Sequence, residues 1–138
     1  MLLILQTEDK TKAVAAWSRI CNALKVLEFT QGEVLSLWSV LAAIYHLGVA
    51  SVSRGNLGKT QFAKPQAAQK AAHCLGTSIE ELTRSIFQGN SSSATLNRKL
   101  RSADRDSAAL PDGIEALEGF VVGLYQEVFN AVVCLINR

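Results

Sequence analysis

Two stretches of this chain are apolar in nearly every direction around a helix, and that restricts its folding more than any motif it carries. From Val34 to Leu47, the residues Val34, Leu35, Leu37, Trp38, Val40, Leu41, Ile44, Tyr45 and Leu47 leave almost no polar face, and Phe120 to Ile136 repeats the pattern. A helix that is hydrophobic all round has to be enclosed on all sides. The question is what encloses them.

The rest of the chain supplies little cover. From Lys10 to Leu27, the residues Val14, Trp17, Ile20, Cys21, Leu24 and Leu27 recur at steps of three and four, which predicts a one-faced helix. Thr30-Gln31-Gly32-Glu33 reads as a capping box that starts a second helix, with Gly48 suited to the left-handed position after its end. Pro65 opens a third, alanine-rich helix that Gly76 stops, and Thr77-Ser78-Ile79-Glu80 caps a short fourth helix reaching about Phe87. Asp112, with Glu115 three residues on, caps the last.

Gly89 to Pro111 has no periodicity and reads as a long loop. Met1 to Leu5 is apolar and suits a short buried strand; it lacks a basic leader and is cut short by Gln6, Glu8 and Asp9, so it does not read as a signal peptide. The expected fold is mainly α, with about five helices, a short strand and two long loops. Five helices, some of them short, cannot surround two all-apolar rods. Left open, these rods would form patches well beyond the few hundred Å² usual on a monomer. The chain is therefore expected to be a single piece, residues 1–138, of something larger, or else a free-standing helical module that oligomerises or binds a partner helix.

A net charge of +2 over 138 residues gives no general attraction to nucleic acid. Three widely spaced cysteines, Cys21, Cys74 and Cys134, fit a reducing, cytoplasmic compartment better than a disulfide framework. Gln126, Glu127 and Asn130 interrupt the last apolar run near its middle, where each is costly in hydrocarbon, so no membrane span is expected.

The stretch Ser53-Arg54-Gly55-Asn56-Leu57-Gly58-Lys59-Thr60 ends like a phosphate-binding loop. Such a loop needs a glycine at the position of Ser53 and a helix directly after the Lys-Thr pair. Pro65 pushes Lys64 out of the helical region, which makes that helix improbable and a glycine-rich surface loop the better reading. His46 and His73 have no metal-binding spacing with the cysteines. No catalytic, cofactor or metal residue is expected.

Three segments together resemble the myosin motor head: "WSVLAAIYHLG" (Trp38 to Gly48), "AAHCLGTSIEEL" (Ala71 to Leu82) and "GLYQEVFNAVVCLINR" (Gly123 to Arg138). They stand in myosin order, and the likeness covers about Ile20 to Arg138. Val49, Ala131 and Cys134-Leu135 depart from the usual motor residues, and the remaining pattern is most similar to the class XVIII unconventional myosins.

The resemblance implies a fragment of the upper 50K subdomain, with residues 53–64 as the region called loop four and 89–111 as the cardiomyopathy-loop region. Both are actin-facing in the family. It implies actin contacts from Arg54, Lys59, Lys64, Arg98, Lys99, Arg101 and Arg105, with the actin filament and the remainder of the heavy chain as partners and a cytoplasmic, cytoskeletal location. ATP and magnesium would bind elsewhere in the intact head. For class XVIII it further implies weak ATPase activity and a tethering role on actin.

Overall fold

The computed structural model describes residues 7–55, 59–88 and 109–138. Five helices and one two-stranded antiparallel sheet follow in the order α1 (Thr7–Val26), α2 (Gln31–Ala50), β1 (Val52–Arg54), β2 (Thr60–Phe62), α3 (Pro65–Cys74), α4 (Ile79–Phe87) and α5 (Ala109–Ile136). The mainly helical expectation holds. The strand expected at Met1 to Leu5 lies outside the described residues, as does the segment 89–108.

Small residues build the centre. Ala43, Leu47 and Ala50 on α2 meet Ala67, Ala68, Ala71 and Ala72 on α3, all of them buried. Methyl-sized contacts let the two helices approach closely and pack at interior density. Phe62 at the end of β2 closes one side, with its ring 5.1 Å from that of Phe87 on α4 in an edge-to-face arrangement. Leu82 and Ile86 of α4 and Leu117 of α5 complete the core.

Helix ends follow their local chemistry at most positions. Thr30 accepts from the Glu33 N–H and donates its own N–H to the Glu33 carboxylate, so the expected capping box is formed. Ser78 caps α4 by accepting from the Glu81 N–H, and Gly76, at φ +68°, ends α3. Several boundaries differ from expectation: α1 starts at Thr7 rather than Lys10, and the α4 cap is Ser78 with Glu81, one residue after the expected Thr77–Glu80 box. Gly48 does not end α2, which runs on to Ala50 and stops at Ser51, φ +52°; burying Leu47 and Ala50 against α3 outweighs the cost of about 1 kcal/mol for a helical glycine. And α5 starts at Ala109, three residues before Asp112, because a proline in the first helical turn needs no N–H partner.

The α1–α2 corner is a Schellman turn: the Phe29 N–H bonds the Leu24 carbonyl and the Glu28 N–H bonds the Lys25 carbonyl. Its left-handed position holds Glu28 at φ +58°, where a side chain costs about 1–2 kcal/mol. Glu28→Gly is expected to stabilise the chain by about 1 kcal/mol, part of the relief being offset by the freer unfolded glycine, and urea denaturation measures it.

The two apolar rods are only partly covered. Leu35 and Tyr45 of α2 remain exposed, and on α5 the cover ends near Leu124. Beyond it Tyr125, Phe129, Val133 and Ile136 form an open stripe, with Phe129 at 61% exposure. α1 is more isolated still. It touches α2 mainly through Trp17 on Trp38, centroids 4.7 Å apart, and Val14, Trp17 and Ile20 of its apolar face stay exposed. Gln31–Ala50 and Gly113–Ile136 are both long and apolar enough to cross a membrane by length and composition.

Candidate functional site

The expected glycine-rich loop is in part a hairpin. Val52 pairs with Phe62, Ser53 with Gln61 and Arg54 with Thr60. The ladder is closed at its base by the Lys64 N–H on the Ala50 carbonyl (2.9 Å) and at its far end by the Gly55 N–H on the Lys59 carbonyl (2.8 Å). Thr60 opens a strand, so the Gly-Lys-Thr triplet lacks the helix N-terminus on which a phosphate-binding loop depends.

This ladder sorts the expected basic residues. Arg54 and Lys59 both stand at its distal end, exposed, Arg54 on the face of its pair partner Thr60 and Lys59, one residue earlier, on the other. Lys64 stands at the opposite end, as the residue before α3, with no side-chain capping bond. Arg98, Lys99, Arg101 and Arg105 lie outside the described residues.

Helix α5 packs on one face of the hairpin. Val52, Arg54, Thr60 and Phe62 share a face by the alternation of strand side chains. Gly113 of α5 sits so close that a Cβ there would be 2.3 Å from Thr60 Cγ2 and 3.1 Å from Val52 Cγ1.

A second feature escaped the sequence reading. The Arg138 guanidinium forms an ion pair with Glu33, donates to the Glu28 carbonyl (2.9 Å) and lies 5.8 Å from the Phe29 ring centroid. The end of α5 is thereby tied to the α1–α2 corner. Hydrogen bonding from Arg138, and next from the Thr30 N–H, lowers the Glu33 pKa to about 2 from an ordinary 4.5. A lowered folded-state pKa means that the tie stabilises the fold fully above pH 4.5 and that this contribution fades as pH falls through about 2. Carboxyl NMR should place the Glu33 midpoint near 2, and Arg138→Ala should move it upward. A midpoint unmoved by that substitution would refute the tie. Nothing local in sequence marks Arg138 as the partner of a residue 105 positions away.

A groove of about 780 Å³ opens where α2 ends and α3 begins, with Tyr45, His46, Val49, Lys64, Pro65 and Lys70 on its walls. Among the described residues no cluster of three His, Cys, Asp or Glu side chains could hold a metal ion. Cys21 and Cys74 are half-buried and Cys134 is exposed, all unbridged.

The chain is related to the myosin family. It is 39% identical over 95% of its length to unconventional myosin-XVIIIa of Mus musculus and 37% identical over 95% to unconventional myosin-XVIIIb of Homo sapiens. The myosin IF heavy chain of Dictyostelium discoideum is 26% identical over 88% of the chain. The chain spans 7%, 5% and 12% of those three proteins. No family model matches it, and no solved structure matches it.

Proposed function

We propose that this chain is a segment of the upper 50K subdomain of an actin-binding class XVIII myosin motor head. In this reading the β1–β2 hairpin is the loop-four region and presents Arg54 and Lys59 to the acidic filament. Arg98, Lys99, Arg101 and Arg105 add a second basic element from the region that resembles the cardiomyopathy loop. The segment carries no catalysis of its own; ATP and magnesium are handled elsewhere in the heavy chain, in the cytoplasm, on the cytoskeleton.

The observation that supports this best is the similarity to two class XVIII myosins over 95% of the chain. The open faces of α1 and α5 agree with it, because the remainder of a heavy chain would cover them. Those faces also favour a second reading, a helical interaction module that self-associates. Gel filtration showing a stable soluble monomer that binds no hydrophobic dye would count against both.

Co-sedimentation with filamentous actin across a salt series is the test. Electrostatic attraction of two exposed cations weakens as the Debye length shortens, to about 8 Å at physiological ionic strength. Arg54→Glu with Lys59→Glu is expected to lower actin affinity by about tenfold at low salt and to flatten the salt dependence. Unchanged affinity in that double variant would reject the hairpin as an actin-facing element.

A further inference from the structure

The groove between the end of α2 and the start of α3 has a chemistry that neither the hairpin nor the core explains. One wall is apolar: Tyr45, 69% exposed, and Val49 stand one helical turn apart on α2, and Pro65 faces the same space. The other wall is cationic, with Lys64 before α3 and Lys70 on it, both exposed. Among the described residues no acidic side chain lines it or pairs with either lysine, and α3 has no acid in its first turn. The first turn of α3 adds partial positive charge of its own.

Exposed tyrosine and valine beside two unneutralised lysines make a surface that water alone serves poorly. Apolar contact at Tyr45 and Val49 would supply affinity, and the lysines would select the charge of what binds. We infer that this groove docks an acidic segment of a partner protein that inserts an apolar side chain against Tyr45 and Val49 and sets carboxylates on Lys64 and Lys70. A purely acidic ligand leaves the apolar wall wet. A purely apolar one leaves two lysines partly desolvated and unpaired, which is costly.

The inference does not rest on the actin reading: Arg54 and Lys59 lie at the other end of the hairpin, and the two sites separate by mutation. The test is selection of a random short-peptide display library on the full chain, counter-selected on the Lys64→Glu, Lys70→Glu double variant. Peptides carrying carboxylates around an aromatic or aliphatic residue are expected to emerge. A synthetic version, followed by fluorescence anisotropy, should lose about tenfold in affinity with Tyr45→Ala and again with the double charge reversal. It should keep its affinity with Lys70→Arg and with the Arg54→Glu, Lys59→Glu pair.

Circular dichroism matching the parent chain verifies that each variant is folded; all of these positions are exposed, and Lys70→Arg preserves charge on the same scaffold. Four results would overturn the inference: no enrichment over the counter-selected variant, enriched peptides without acids, affinity indifferent to Tyr45→Ala, or affinity lost with the hairpin-tip pair. So would self-association abolished by the same lysine reversals, which would make a second copy the occupant. Lysine-dependent binding to phosphatidylserine vesicles in place of peptide would assign the groove to lipid instead.

Discussion

Leu47→Ala is expected to destabilise the chain by about 3 kcal/mol, read as a drop in the urea midpoint without a change in slope. Leu47 is fully buried and is the one large side chain that α2 commits to the alanine-lined contact with α3. Removing its branched end deletes transfer free energy and leaves a void that the neighbouring methyls, already at closest approach, cannot refill. The effect should be near the middle of the range for such truncations, because the open C-terminal half of the molecule offers only distant relaxation. A loss below about 1 kcal/mol would mean that the α2–α3 contact is loose, and the account of the core would fail with it.

Gly113→Val should cost about 1–3 kcal/mol by overpacking. Helix propensity alone argues the other way, since valine outranks glycine in a helix by a few tenths of a kcal/mol. Geometry decides the sign: even a Cβ would stand 2.3 Å from Thr60 Cγ2, and a β-branched side chain adds two methyls to that conflict. The hairpin would have to move off α5, and Val52 with it. Gly119, on the same helix with open space around its Cα, is the control; Gly119→Ala should gain about 1 kcal/mol. If both substitutions stabilise, the close approach of helix and hairpin is refuted.

Local signals gave helix identity and most helix ends. Thr30 with Glu33, Pro65, Gly76 and Ser78 each act within four residues of themselves, and their structural roles follow from their own chemistry. Where distant packing competes, local reading fails. Gly48 was expected to end α2, yet Leu47 and Ala50 find alanines on α3 and carry the helix past it. The hairpin reads locally as a loop because its strands are three residues long and Phe62, at the end of β2, depends on the distant Phe87 for burial.

The candidate site was legible to a similar degree. Arg54 and Lys59 stand out as cations without a neighbouring acid, but that a ladder would set both at its distal end and leave Lys64 apart requires knowing the register. Nothing local in the sequence marks Lys70; only the return of α3 beside α2 places it near Tyr45. The apolar surplus of α2 and α5 was plain from composition, and the stripe from Tyr125 to Ile136 shows where it remains unspent.

The alanine contact between α2 and α3 also bears on mechanics. The α2–α3 contact holds one large side chain, Leu47, among alanines, so few rotamers can change there and the mount of the hairpin has little compliance. With its base stitched by the Lys64 N–H on the Ala50 carbonyl, the strand pair stands on a braced pair of struts. Whatever it presses against, the load passes into both struts together.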